Sequence, residues 1–266
     1  MREDRYLIDI HNHLLPGFDD GAKDWDVALA MLQAGMDDGI KEAILTPHIM
    51  SQKDLEKEEE IFVLFEKFKL KAAKEGIQIK FHLACELFIQ PDMDLNRRLT
   101  TLDELGRYFL VEFPMSIVPE FVTEQFFKMI IDNKIPIVAH PERNVSIIQN
   151  PERAVDLVEH GALLQMNAGS LLGKFGSTVR DVANLMMDAN LIHFVASDSH
   201  DTRSRPFKLS EAYYYIEENW GKDRAEHLLC INPRKVLESE RINPPDPLPE
   251  RLKAKKKRFV LFKRKI

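Results

Sequence analysis

The run Tyr6-Leu7-Ile8-Asp9-Ile10-His11-Asn12-His13 is a short apolar stretch that ends on two histidines two residues apart. Residues at i and i+2 of a strand face the same side, so both imidazoles can be presented to one place as the strand ends. The same grammar recurs along the chain. Short apolar runs predict strands at 6–10, 42–46, 77–85, 108–113, 135–139, 162–167 and 191–197. Between them, amphipathic stretches predict helices at 25–38, 55–74, 120–132, 151–159 and 177–189, several ending at glycine (Gly39, Gly76, Gly161). In the stretch 55–74 the apolar stripe is Ile61, Leu64, Phe65, Phe68 and Ala72, at helical spacing among Lys and Glu. Strands alternating with helices indicate parallel pairing, and 266 residues suit one large domain, so an α/β barrel is expected.

The strand ends carry the chemistry. After the first come His11 and His13, then Asp19-Asp20-Gly21; the second ends in Thr46-Pro47-His48 and the third in Cys85-Glu86. The fourth ends in Val111-Glu112-Phe113, the fifth in His140-Pro141-Glu142-Arg143 and the seventh in Ser197-Asp198-Ser199-His200. In a barrel of parallel strands these positions share the C-terminal rim, where such folds keep their active sites. Six of the seven predicted strands therefore deliver a His, Asp or Glu to one place. Nitrogen and carboxylate donors without thiolate suit Zn, Mn or Fe, and there are more of them than one ion can use. Glu86 and Glu112 are the natural shared ligands, because a carboxylate can span two ions. Arg143 and either Arg203 or Arg205 lie close enough in sequence to reach this rim as anion-binding forks.

The other histidines read differently. His160 adjoins the helix-ending Gly161 and His227 lies on a late helix; His82 suits a packed polar layer; His193 falls at the start of its strand, the far end from the rim. Cys85 and Cys230 are too few for a disulfide framework, and neither is followed six residues later by the Arg that a cysteine phosphatase needs. They read as core residues.

The net charge of −6 conceals an asymmetry: residues 251–266 hold nine Lys or Arg and no acid, leaving 28 basic against 43 acidic side chains in the rest. An acidic body argues against a nucleic-acid enzyme. Four prolines between 244 and 249 predict that the folded domain, 1–242, ends just before them, with 243–266 a proline-rich and then polybasic tail. That tail interleaves basic and apolar residues as a membrane-surface or partner-docking segment does, and equally as a solvated end does. The polar start and the lack of any long apolar run predict a cytoplasmic protein.

The phrases IDIHNHLLPGFDDG (8–21), TPHIM (46–50), ACELF (84–88), LVEFP (110–114), VAHPERN (138–144), NAGSLLG (167–173), VASDSH (195–200) and INPRKVL (231–237) resemble the polymerase and histidinol phosphatase (PHP) superfamily. The resemblance is closest to its bacterial capsular-polysaccharide tyrosine-protein phosphatases, and it covers roughly residues 6–240. It implies a distorted seven-stranded (β/α)7 TIM-like barrel with two or three divalent ions, manganese foremost and Fe or Zn as alternatives. By the same resemblance His11, His13, Asp20, His48, Glu86, Glu112, His140, Asp198 and His200 are the ligands, with Asp19 an alternative to Asp20. One ion would take His11, His13, Glu86 and Asp198; a second Glu86, Glu112 and His140; a third Asp20, His48 and His200. Arg143 and Arg205 would bind the substrate phosphate, and Asp198 or a water would donate the proton. The implied substrate is phosphotyrosine on a membrane-associated autokinase that controls capsular or exopolysaccharide synthesis. Two other readings stand beside it: a phosphatase of a small alkyl phosphate such as histidinol phosphate, and a non-catalytic, tail-anchored regulatory module. Homo-oligomer formation is left open.

Overall fold

The strands are β1 (Leu7–Asp9), β2 (Ile40–Leu45), β3 (His48–Ile49), β4 (Lys80–Leu83), β5 (Glu86–Phe88), β6 (Tyr108–Glu112), β7 (Ile135–Ala139), β8 (Leu163–Asn167) and β9 (Phe194–Ala196). All pair in parallel, in a three-stranded sheet ordered β1-β2-β4 and a six-stranded sheet ordered β3-β5-β6-β7-β8-β9. This computed structural model describes residues 5–91 and 93–252. The polybasic stretch from 253 onward lies outside the described residues.

The expected α/β architecture with parallel strands is present, but the count of seven strands in the expected distorted barrel needs correction: the described residues form nine strands in two sheets, and neither sheet closes on itself. Two of the expected strands are each followed, just past the expected run, by a further short strand. Pro47 has no N–H to give to a ladder and separates β2 from β3, and the run expected at 77–85 is a strand only over Lys80–Leu83, with a second strand starting just past it at Glu86. The backbone stays paired across the breaks, through Ala84 N–H to Leu45 O (2.9 Å) and Glu86 N–H to Pro47 O (3.1 Å). Beyond the end of β1, Asn12 forms a single parallel bridge with Ser199, flanked by Asp198 N–H to His11 O and His13 N–H to Ser199 O, both 2.9 Å.

Strand side chains bury on both faces, as a parallel sheet covered by helices requires. One set of alternating residues (Ile8, Ile44, Leu110, Ile137, Leu163, Phe194) forms an inner cluster, joined by Val236 and Ile242 from the chain's last part. The opposite set (Leu7, Ala43, Phe109, Val138, Leu164, Val195) packs in the larger cluster with the helices. The helix Trp25–Asp38 starts where the Asp24 carboxylate accepts the Val27 N–H at 2.9 Å, and ends at Gly39, whose φ of 97° suits a residue without Cβ. The stripe expected on the next long helix is seen on Glu58–Lys74, with Ile61, Phe65, Phe68 and Ala72 buried; the turn Gln52–Leu55 is separate from it. Part of the proline-rich segment also packs on the body: Leu248 N–H donates to Ala189 O at 2.9 Å, and Leu252 is buried. Among the described residues no helix is long and apolar enough to cross a membrane.

His193 shows what the lower layer requires. Its Nδ1 accepts the Leu164 N–H at 2.9 Å, and the ring is buried. Burial, aided by the charge of Arg224, lowers its pKa to about 3. The unfolded chain would take up a proton near the ordinary pKa of about 6.5, whereas the folded one would not, so stability is lost as pH falls through that range. We expect about 2 kcal/mol of stability from this residue to disappear between pH 7 and 5. Denaturant unfolding should show a weaker acid dependence in His193→Gln over that interval; an unchanged dependence would refute this account.

Candidate metal centre

At one end of the two sheets, residues far apart in sequence meet in a largely buried polar cluster. β1 runs into His11 and His13, β3 starts with His48, β5 starts with Glu86, β6 ends with Glu112, β7 runs into His140, and β9 runs into Asp198 and His200. His11, His13 and Glu86 are fully buried. Glu86 is the hub: its Oε2 lies 3.2 Å from His11 Nε2, 3.4 Å from His13 Nε2 and 3.0 Å from His48 Nδ1. Its Oε1 lies 3.1 Å from His140 Nε2, which is 3.6 Å from Glu112 Oε1. Asp198 Oδ1 faces His11, His13 and His200 at 3.4 to 3.7 Å. On the outer side, Asp20 Oδ1 is 3.4 Å from His48 Nε2 and 3.2 Å from His200 Nε2.

Four overlapping sets emerge whose donor atoms all lie within 4.8 Å of one another: His11, His13 and Asp198; His11, Glu86 and His140; His48, Glu86 and Glu112; and His13, Asp20, His48 and His200. All nine residues singled out by sequence are thus together. Glu112 joins His48 and Glu86, and His13 joins the Asp20 set, so the geometry shares residues between sets more than the simple three-way grouping does.

The hydrogen bonds decide which ring nitrogens are free. Asp198 Oδ2 can only accept, so Asn167 turns its Nδ2 toward it (2.5 Å) and leaves its Oδ1 to the Gln165 amide (3.1 Å). Gln165 Oε1 then accepts from His11 Nδ1 at 2.7 Å, which leaves the His11 Nε2 lone pair aimed into the cluster. His13 gives its Nδ1 proton to Asp19 Oδ2 at 2.8 Å, freeing its Nε2 likewise. The two Nε2 atoms are 3.3 Å apart. Two lone pairs at that distance, beside the hydrogen-bond-orphaned Glu86 Oε2, His48 Nδ1 and His200 Nε2, fit a divalent cation between them.

Electrostatics points the same way. Burial alone would lower the histidine pKa values, but Glu86 and Asp198 raise that of His11 to about 9, and Asp19 and Glu86 raise that of His13 to about 10. Positive charge is demanded here, and a metal ion supplies it without protons. Burial and the charge of Glu86 push the Glu112 carboxyl up. Glu86 stays well below the ordinary carboxylate range because its histidines outweigh its burial. Burial also opposes ionisation of Asp198, yet His11, His140 and His13 hold it well below that range. An acid so firmly ionised does not suit the proton-donor role considered for Asp198. His140 (φ 33°) and Asp198 (φ 49°) occupy the left-handed region, strain of a kind that collects at functional sites.

The alternatives open in the sequence part here. Asp19 is spent on support: besides His13, it accepts the His48 and Gly21 N–H groups at 3.0 Å, and these bonds bring it to about 2 against its burial. Asp20, 63% exposed, faces His48 and His200 instead. Arg205 reaches Asp198 Oδ2 at 3.4 Å and Asp20 Oδ2 at 3.8 Å, whereas Arg203 is exposed on the turn capped by Asp201. Arg143 Nη1 donates to Asp198 Oδ2 at 2.8 Å. His82 pairs instead with Glu42 at 2.7 Å, and His160 and His227 bond carbonyls of their own helices. Burial pushes the Cys85 thiol far up and the Cys230 thiol to about 12, which leaves neither as a nucleophile.

Sequence reasoning missed the supporting residues. β8, the expected strand without a His, Asp or Glu at its end, supplies Gln165 and Asn167; two amides spaced by two in a buried run were the available signal. Glu142 accepts Asn167 N–H (3.1 Å) and Ser170 O–H (2.6 Å). Asp9, held near 6 because its burial outweighs its hydrogen bonds, accepts Ser197 N–H and O–H and so ties β1 to β9 beneath the cluster.

Fold and site together define an α/β protein with a cluster of histidines and carboxylates at its strand ends that could hold metal ions. Residues 7–238 match the family described as capsular polysaccharide synthesis, CpsB/CapC, and the chain belongs to that family. It is 34% identical over 250 residues to the tyrosine-protein phosphatase YwqE of Bacillus subtilis (strain 168), covering 92% of this chain and 98% of the relative. It is 33% identical over 257 residues to the putative tyrosine-protein phosphatase CapC of Staphylococcus aureus, covering 89% and 93%. Among solved structures it is similar to one from work on YwqE of Bacillus subtilis and CpsB of Streptococcus pneumoniae, described as unique metal-dependent tyrosine phosphatases. The TM-score is 0.82 at 33% identity, with 91% of this chain and 98% of the other covered.

Removing the support of a ligand typically weakens metal binding 10- to 100-fold. Asp19→Ala should do so here, measured by competition with a chromophoric chelator. Affinity equal to wild type would detach Asp19 from the centre.

Proposed function

We propose that this chain is a metal-dependent protein-tyrosine phosphatase acting in capsular or exopolysaccharide synthesis. The observation that carries the reading is the pair of facing imidazole nitrogens on Glu86 and Asp198, with two arginines converging on the outer oxygen of Asp198. The activity of the relatives supports it. In this reading His11, His13, Asp20, His48, Glu86, Glu112, His140, Asp198 and His200 hold two or three divalent ions, manganese first among the candidates. The paired strand ends at Asn12 and Ser199 support treating the two sheets as one distorted barrel with this centre on its rim.

Divalent ions held by the residues of this centre would supply Lewis-acid activation of a water and charge neutralisation at the phosphoryl group. The chain's own residues do the rest. Arg143 and Arg205 grip the substrate phosphate from the solvent side, exchanging part of their bond to Asp198 for the phosphate oxygens. Asp198 orients them and stays ionised. A tyrosine leaving group, whose parent pKa is about 10, asks less of a proton donor than an alkoxide does. No nucleophilic side chain is required. A phosphotyrosine protein is the proposed partner, a membrane-associated tyrosine autokinase in particular, with the basic tail as a candidate membrane contact.

Hydrolysis of a phosphotyrosine peptide should be lost after EDTA treatment and return with Mn, Fe or Zn. Activity that persists without metal, or that no metal restores, would overturn the reading. Arg143→Lys and Arg205→Lys should each lower kcat/KM by roughly 10- to 100-fold, the loss expected for a charge-assisted fork. An unchanged kcat/KM in both would remove the arginines from phosphate binding.

A further inference from the structure

We infer that Phe175 selects aryl over alkyl phosphates at this centre, an inference that rests on the phosphatase reading above. Phe175 lies in the turn after the short helix Ala168–Leu171, in the stretch Gly173-Lys174-Phe175-Gly176. Gly173 (φ 76°) and Gly176 (φ 91°) take up left-handed conformations on either side of it, and the Lys174 N–H closes the turn on Gly169 O at 2.8 Å. A side chain on Gly169 would bring Cβ within 3.1 Å of Phe175 Cε2, so glycine there leaves room for the ring. Of these glycines, Gly169 is the one that directly makes room for the ring.

That ring does not serve the core: it is half-buried and stands apart from both hydrophobic clusters. It lies instead against Arg143, whose guanidinium carbon is 4.3 Å from the ring centroid. Arg143 in turn reaches Asp198 at 2.8 Å, on the oxygen to which Arg205 also points. A phosphate gripped by Arg143 therefore has an aromatic wall beside it. A phenyl group esterified to that phosphate meets Phe175 edge-to-face or offset, while a short alkyl group leaves the ring in water. Contacts between aromatic pairs are worth a selectivity of about three- to tenfold.

The test uses full-length, metal-loaded protein and two non-hydrolysable probes, phenylphosphonate and propylphosphonate, titrated by calorimetry, with phenyl phosphate and propyl phosphate as substrates. Wild type should favour the phenyl probe. Phe175→Leu and Phe175→Ala should shrink the phenyl-to-propyl affinity ratio about three- to tenfold, and Phe175→Tyr should restore it. Thermal unfolding of the Leu variant establishes that its fold is intact. A ratio unchanged in both variants overturns the inference, including the case where both affinities fall together because Phe175 merely steadies Arg143. Wild type that binds both phosphonates but hydrolyses neither phosphate would sink the phosphatase reading, and the affinity ratio would still decide the role of Phe175.

Discussion

The Nε2 atoms of His11 and His13 meet at 3.3 Å against the carboxylates of Glu86 and Asp198, with all four side chains buried. Such a cluster demands positive charge, which is why the pKa values of both histidines are raised against their burial. Buried carboxylates repel, and buried lone pairs want donors. A divalent cation resolves both at once, which is why the rest of the upper layer can be understood as scaffolding for one. The chain His11, Gln165, Asn167, Asp198 has a single consistent hydrogen-bond direction, ending on the carboxylate that must accept. It sets the tautomer of a histidine through residues on β8 and the end of β9.

The scaffold also explains why the strands are short. A regular ladder would keep every residue extended, whereas His140 and Asp198 need left-handed backbone to turn their side chains inward. Pro47 interrupts β2 and lets His48 start a separate strand whose N–H is fixed by Asp19. The cost of these irregularities is offset beneath the cluster by Asp9, which ties Ser197 to β1, and by Glu142, which holds the turn at Asn167 and Ser170. Regular packing returns one layer lower, in the inner cluster of Ile8, Ile44, Leu110 and Phe194.

Much of this was legible in one dimension. The ligand-type residues follow apolar runs directly, and that local pattern survives folding because strand ends in a parallel sheet point one way. Less legible were the short strands that follow the expected runs, since the sequence around 77–88 does not show where the ladder shifts from β2 to β3. The amides of β8 were passed over because Gln and Asn carry no charge, although a buried amide needs partners as surely as a carboxylate does.

The amino-acid order by itself determined which chemical groups gather: histidines and carboxylates at strand ends, no usable thiol, and arginines three and five residues beyond His140 and His200. Tertiary structure alone decided between near-equal neighbours. Asp19 supports His13 while Asp20 faces His48 and His200, and Arg205 reaches Asp198 where Arg203 does not. The physical reason is that these choices rest on hydrogen bonds and distances of a few ångströms between segments far apart in sequence, as between Asp20 and Arg205. Local periodicity sets the face on which a residue lies; only the packed chain sets what that face meets.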